Sequence, residues 1–275
     1  MTRSRIAFIG GGNMARSIIG GLVADGHPPD RLSAADPSAQ QRQRLEADFG
    51  IATSGDNDVL ARAADVVVLA VKPQVMPDIA RDLAPAIAAA TPLVVSVAAG
   101  IRQDALARWL DYSGPVVRCM PNTPALIQCG MSALHANAAV TAEQRELATM
   151  LLSATGSVVW VEEESQLDVV TGISGSGPAY YFAFMEAMER AALARGLPPE
   201  TARQLVLGTA LGAARMANEA GEDPATLRAN VTSKGGTTAA ALEAFEQGGL
   251  DALVDRAVDA AQKRSIELGD ALGED

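Results

Sequence analysis

The sequence predicts an α/β protein: an N-terminal Rossmann-type doubly wound parallel sheet followed by an all-α C-terminal dimerisation domain. Three observations carry this. Short apolar runs alternate with helix-period stretches through the first half. A Gly-x-Gly-x-x-Ala triplet stands between the first run and the first helix. Beyond Glu164 the strand signals stop and only helical patterns follow.

"RIAFIG" reads as a short buried strand, and "NMARSIIGGLVADG" as a helix with Met14, Ile18, Ile19 and Leu22 on one face. "RLSAAD" is a weaker strand, and "AQQRQRLEADFG" a polar helix closed by glycine. "ADVVVLAV", "PLVVSVAAG" and "PVVRCMP" are strands separated by the helices "MPDIARDLAPAI" and "RQDALARWL". "MSALHA" and "SVVWVEE" read as strands on either side of the helix "AEQRELATMLLSAT". Strands apolar throughout, spaced by helices, imply a parallel sheet covered on both faces, with right-handed crossovers. Five helices follow, from "PAYYFAFMEAMERAALARG" to "LDALVDRAVDAAQKRSIELGDAL", punctuated by Gly, Pro and Asp. The expected division is 1–162 for a nucleotide-binding domain and 163–275 for a helical one.

Composition narrows the function. The chain has 275 residues, 48% of them apolar, and a net charge of -11. That charge argues against a nucleic-acid partner. Two cysteines, Cys119 and Cys129, and two histidines, His27 and His135, give neither a disulfide framework nor metal spacing. No run is long enough to span a bilayer, and the start does not read as a signal peptide, so a cytoplasmic location is expected. "YYFAFMEAM" is apolar nearly all round, and Gly208 and Gly212 permit close helix crossing. Such helices call for a homodimer interface; a central core helix in a monomer is the alternative.

The triplet Gly10, Gly12 and Ala15 supplies a tight turn, close approach to a pyrophosphate and close helix packing, at a helix end that offers free N–H groups. Asp36, at the tip of the second strand, either hydrogen-bonds the adenosine ribose, which favours NADH, or simply starts an Asp-Pro turn. Ser38, Arg42 and Arg44 are candidate contacts for the extra phosphate of NADPH. Val71, Lys72 and Pro73, then Ala98 and Ala99, then Asn122 end successive strands, where ligands of such sheets lie. In the helical half, Gly235, Gly236, Thr237 and Thr238 open a helix. They read as an anion cradle or as a plain helix cap.

"FIGGGNMA", "AVKP", "VSVAAGI", "RCMPNTPALI", "GISGSGPAYYFAFMEAM" and "VTSKGGTTAAALEAF" together resemble the pyrroline-5-carboxylate reductase family, over nearly the whole chain. The resemblance implies NADPH- or NADH-dependent reduction of the cyclic imine 1-pyrroline-5-carboxylate to L-proline, by a dimer that commonly assembles to a decamer. It implies that Gly10, Gly12, Asn13 and Met14 hold the pyrophosphate and that Asn57 meets the adenine half. Val71, Lys72, Pro73, Ala98, Ala99 and Asn122 would lie toward the nicotinamide. Glu164, Asn230, Thr237 and Thr238 match substrate- or cofactor-contacting positions of the helical domain. One departure matters: Ala35 and Asp36 stand where members that prefer NADPH usually have Ser, Thr or Arg.

In this reading Gly235 to Thr238 pin the substrate carboxylate, and the Thr238 hydroxyl is the catalytic donor to the imine nitrogen. Glu164 either favours a cationic iminium or is a solvated member of the acidic run from Glu162. A β-hydroxyacid dehydrogenase is disfavoured, since Tyr181 and Phe184 stand where its catalytic lysine and asparagine would be. The alternatives are a reductase of another cyclic imine and a non-catalytic NAD(P)H-binding regulatory protein.

Overall fold

A computed structural model describes residues 4–273. Its first unit holds a single eight-stranded sheet in the order β3-β2-β1-β4-β5-β6-β7-β8. The strands are β1 (Ile6–Ile9), β2 (Leu32–Ala35), β3 (Ala52–Ser54), β4 (Val66–Leu69), β5 (Leu93–Ser96), β6 (Val116–Met120), β7 (Gly130–Ala136) and β8 (Gly156–Trp160). The first six run parallel. The order reverses between β1 and β4, which opens a crevice at the carboxyl edge of the sheet.

Helices cover both faces: α1 (Asn13–Ala24), α2 (Ala39–Phe49), α3 (Asn57–Ala63), α4 (Met76–Ala90), α5 (Gln103–Leu110) and α6 (Ala142–Ser153). Successive strand residues point to opposite faces. Ile6 and Phe8 therefore join a core with Ile18, Ile19 and Leu22 of α1 and Leu151 of α6. Ala7 and Ile9 join a second core with Leu83 and Ile87 of α4 and Leu106 and Trp109 of α5. All four residues of β1 are at most 1% exposed, which is why the run carries no polar residue.

Two features depart from the expected sheet. β3 and α3 occupy a stretch that carries no strand run and only a short helix. And β7 runs antiparallel to β6. Only residues 121–129 join these two strands, with one 3-10 turn at Thr123–Ile127, too little chain for a parallel crossover.

Packing divides the chain elsewhere than at 162/163. The first compact unit extends through Ser176 and takes up Ala260–Asp275; the second is Gly177–Asp259. After β8 the chain forms α7 (Gln166–Val170) and a π-helical turn, Thr171–Gly175, and these remain with the sheet. The second unit contains α8 (Gly177–Leu193), α9 (Pro199–Glu219), α10 (Pro224–Asn230), α11 (Thr237–Gln247) and the start of α12 (Leu250–Gly273). The end of α12 belongs to the first unit. There Ser265 Oγ donates to Asp168 Oδ1 at 2.6 Å in a buried setting, and Arg102 pairs with Asp270 at 2.8 Å.

Within the single chain the second unit leaves much apolar surface open. Tyr181 is 70% exposed, Phe182 63% and Leu211 65%. A Cβ added at Gly208 or Gly212 would meet nothing within 4 Å. The small residues of α9 are thus not required by packing within one chain.

Two stability predictions follow from buried polar groups. Ser265→Ala leaves Asp168 without its donor and is expected to cost about 1–3 kcal/mol, read as a lower urea midpoint. His27 is buried, its Nε2 lacks a partner, and burial lowers its pKa below the ordinary 6.5. The unfolded chain then binds the proton more readily just under that pH, so stability is present above it and declines as the pH falls through it. Midpoints measured from about pH 7 down to about pH 5.5 are expected to drop more for the native chain than for His27→Gln.

Candidate functional site

The carboxyl edge of the parallel strands gathers most of the residues singled out in the sequence. Gly10 leaves β1 with φ +98°, and its N–H donates to Ala35 O at 2.8 Å. A Cβ there would stand 2.7 Å from Ala70 O, so the turn requires glycine for reasons internal to the fold. Gly12 differs. It is the N-cap of α1, with extended backbone and no side-chain cap, and an added Cβ would meet nothing within 4 Å. Nothing inside the chain calls for glycine at 12. What it leaves is open space above uncapped helix amides, including those of Asn13 and Met14, which fits a diphosphate.

Asp36 follows β2. Its Oδ2 accepts from Gly11 N at 2.8 Å and its Oδ1 from Ser38 N at 2.8 Å. The carboxylate therefore ties the glycine turn to the next loop, while keeping lone pairs for a ribose hydroxyl. Arg42 Nη1 steadies the same loop, donating to the carbonyls of Asp36 and Pro37 at 2.7 and 3.2 Å. Asn57 is the first residue of α3, which Asp56 caps.

Val71 lines the turn, its Cγ1 3.0 Å from where a Cβ of Gly10 would be. Lys72 is exposed and forms no hydrogen bond or ion pair among the described residues; Pro73 opens a 3-10 turn. After β5, Ala98 N donates to buried Ser96 Oγ at 3.4 Å and Ala99 is exposed. Behind them Gly100 packs on Leu268 and Leu272 of α12. Asn122, after β6, spans two elements: Oδ1 accepts from Met131 N at 2.8 Å and Nδ2 donates to Ser174 O at 3.2 Å.

Glu164, expected with the helical half, lies in the first unit. Its Oε1 accepts from Arg118 Nη1 at 3.0 Å and from Gln103 N at 2.8 Å. Gln103 Nε2 donates onward to the carbonyls of Val116 and His135. This partly buried polar network fixes the start of α5, which follows the turn that carries Ala98 and Ala99. Sequence reasoning passed over Arg118 and Gln103. The signal was a lone arginine inside the otherwise apolar strand "PVVRCM".

The remaining residues fall in the second unit. Gly235 has φ +70°, and Gly236, not a threonine, is the N-cap of α11, with no side-chain cap. The hydroxyls of Thr237 and Thr238 in its first turn are therefore not used as caps, and its leading amides lack a side-chain acceptor. Asn230 Nδ2 donates to Glu222 at 3.2 Å. Neither cysteine is placed as a nucleophile: Cys119 is buried with its thiol pushed up to about 12, and Cys129 is a lone exposed thiol. Among the described residues no cluster of metal-ligating side chains occurs, and no helix is long and apolar enough to cross a membrane.

Comparison with known proteins accounts for both halves. Residues 164–268 match the family model "Pyrroline-5-carboxylate reductase dimerisation", and residues 5–100 match "NADP oxidoreductase coenzyme F420-dependent". A pyrroline-5-carboxylate reductase of Pseudomonas aeruginosa is 51% identical over 274 residues, covering 100% of both chains. The structure of a pyrroline-5-carboxylate reductase from Coxiella burnetii superposes with a TM-score of 0.94, at 42% identity, over 97% of this chain and 99% of that one. The Plasmodium falciparum pyrroline carboxylate reductase, solved with NADP bound, gives 0.84 at 27% identity, over 98% and 99%.

The two glycines of the turn separate binding from folding. Gly12→Val is expected to weaken binding of NADH and NADPH about tenfold or more, with an unchanged melting temperature, because the new side chain enters only ligand space. Gly10→Ala is expected to destabilise the fold by about 1–3 kcal/mol, through its positive φ and the Ala70 carbonyl. Fluorescence titration of the nucleotide and thermal melts check the pair.

Proposed function

The chain belongs to the pyrroline-5-carboxylate reductase family, and on that premise we propose that its carboxyl-edge turns and its Gly-Gly-Thr-Thr segment carry the reduction of 1-pyrroline-5-carboxylate to L-proline. The observation that carries this reading is likeness to reductases of that name along the entire chain, both motif-bearing halves included.

NAD(P)H supplies the hydride when bound. The chain's own residues bind, orient and screen. Gly10, Gly12, Asn13 and Met14 hold the diphosphate, with Asp36 and Asn57 on the adenosine side. Val71, Lys72, Pro73, Ala98, Ala99 and Asn122 bound the nicotinamide. The leading amides of α11, reached through Gly235 and Gly236, together with the Thr237 hydroxyl, take the substrate carboxylate, and Asn230 borders that turn. The Thr238 hydroxyl donates to the imine nitrogen. Its pKa is too high for full proton transfer, so it orients and polarises. The Glu164 charge is already balanced by Arg118. The proposal therefore makes it a positioning residue for the Ala98–Ala99 turn, not a partner of the iminium.

The dimerisation segment makes the enzyme a homo-oligomer, and the open faces of α8 and α9 are the surfaces such assembly needs. Assembly beyond the dimer, to a decamer, belongs to the proposal. So do a cytoplasmic location and the absence of a nucleic-acid partner, which the charge of -11 favours.

The test is loss of nicotinamide absorbance when 1-pyrroline-5-carboxylate is added with each cofactor in turn. Turnover is expected with both, NADH being at least competitive because of Asp36. No turnover with either would return the chain to the regulatory reading, and turnover only of a different cyclic imine to the other alternative. Thr238→Ala is expected to lower kcat/KM by about one to three powers of ten, the ~1.4–4 kcal/mol of a well-placed donor. Native rates in that variant would remove Thr238 from the mechanism.

A further inference from the structure

The helix that follows β8 changes register partway. After α7, Ser176 N donates to Thr171 O at 2.8 Å, an i→i+5 bond, and α8 then resumes at Gly177. Ser176 itself keeps right-handed helical backbone angles, φ -85° and ψ -19°. The backbone is thus helical from Gln166 to Leu193, with one widened turn at Thr171–Gly175. Single π-turns of this kind are rare and gather at places where a helix has a second duty. The sequence supplies a cause. Residue 178 is proline, which has no N–H and whose ring crowds the carbonyl four residues earlier, that of Ser174. In an unbroken α-ladder that carbonyl would go without its donor.

The end of β6 supplies what the proline withholds. Asn122 Nδ2 donates to Ser174 O at 3.2 Å, while Asn122 Oδ1 accepts from Met131 N at 2.8 Å. A Cβ added at Gly175 would collide with Met120 Cε, so that methionine packs on the bare Cα of the glycine. Two side chains from one strand end therefore grip one turn. The turn has a second arrangement open to it. Thr171 Oγ1 donates to Leu167 O at 2.8 Å, the bond that helical hydroxyls make one turn back. The Ser174 hydroxyl is buried and makes no hydrogen bond among the described residues. Settling into i→i+4 register would bring Val170 O within its reach by the same pattern. Asn122 selects the widened form against that alternative.

We propose that the Thr171–Gly175 turn is a coupling joint, set by Pro178 and held by Asn122, through which occupancy of the nicotinamide end raises affinity for the substrate. Asn122 stands at the strand end beside which the nicotinamide is proposed to lie. The chain crosses between its two units after Ser176 and again after Asp259. The first crossing follows this turn directly, and the second unit carries the Gly-Gly-Thr-Thr segment. Cofactor that orders the Asn122 side chain favours the widened turn, and with it the present start of α8. Asn122 and Pro178 are positioning residues in this role; they act through the turn. The linkage is reciprocal, so substrate tightens cofactor by the same factor. The inference rests on the cofactor and substrate sites proposed above.

The test uses the whole protein and equilibrium binding. NADPH and L-proline are both already reduced, so they bind together without reacting. NADPH is titrated by its fluorescence, with and without saturating L-proline, into the native chain, Asn122→Ala, Pro178→Ala and the double variant. Urea midpoints are measured on the same proteins. In the native chain each ligand is expected to tighten the other by about fivefold or more. Pro178→Ala gives Ser174 O a helical donor. It is expected to bring that factor down to about one, with affinity for NADPH alone within about twofold of native and a midpoint no lower. Asn122→Ala is expected to lose the coupling as well, and to lower the midpoint by orphaning the carbonyl. Made in the Pro178→Ala background, the same change is expected to lower the midpoint by about half as much or less. Three results overturn the proposal: a native chain that binds both ligands without coupling, coupling that survives Pro178→Ala, or an equal midpoint loss in both backgrounds. A native chain that takes NADPH but not L-proline counts against the reductase reading, and the joint falls with it for want of a second ligand. Binding of both with the same factor in every variant counts against the joint alone.

Discussion

Strands β1, β4 and β5 have no water on either face, and this dryness governs what the first unit can do. A sheet buried on both sides satisfies its backbone through strand pairing and excludes charge from its faces. Polar chemistry is then confined to the strand ends. Six parallel strands bring six such ends to one edge, where the glycine turn, Asp36, Lys72, Ala98 and Asn122 all emerge. The cost of a buried charge explains the exception. Arg118 lies inside the sheet, 5% exposed, and is admitted only because Glu164 meets it at 3.0 Å. The same carboxylate fixes the start of α5. One ion pair thus links the sheet interior to the turn beside which the nicotinamide is proposed to lie.

The second unit follows a different logic. Its helices carry aromatic and aliphatic side chains that one chain leaves in contact with water. Exposure of Tyr181, Phe182 and Leu211 together is not the scattered apolar surface of a monomer. The hydrophobic effect, unsatisfied within the chain, becomes the drive for association in a family whose model for this segment is named for dimerisation. The turn proposed to hold the substrate is built on this unit. Its stability is tied to protomer concentration in a way that the sheet's is not.

Much of this was legible from residue order alone. Seven strands and the five C-terminal helices stand out, most of them because their apolar runs or helical periods are long relative to noise and the short α10 because Asp and Pro mark its start. The glycine turn was legible because three small residues at fixed spacing have separate steric duties. β3 was not, since Ala52–Ser54 is three residues at a sheet edge with only one wet, weakly apolar face to show. The direction of β7 was hidden because strand runs carry no sense of orientation; only the shortness of the link decides it. The Glu164 partners were hidden because Arg118 and Gln103 lie 46 and 61 positions away and only folding joins them. A charged residue in a buried strand was the one hint. The unit boundary shifted for a similar reason: the end of strand signals near Trp160 marks where pairing stops, not where packing stops.

The last helix has a bearing on how the protein is made. Ser265 and Asp270 belong to the surface that closes over Asp168 and Arg102, so the nucleotide-binding unit is discontinuous along the polypeptide. Synthesis proceeds from the amino end, and units generally fold as they emerge. Here the sheet precedes, in the chain, the end of α12 that covers its Gly100 turn. Closure of the first unit around Asp168 and Arg102 therefore draws on a segment about ninety residues further along the chain than Asp168.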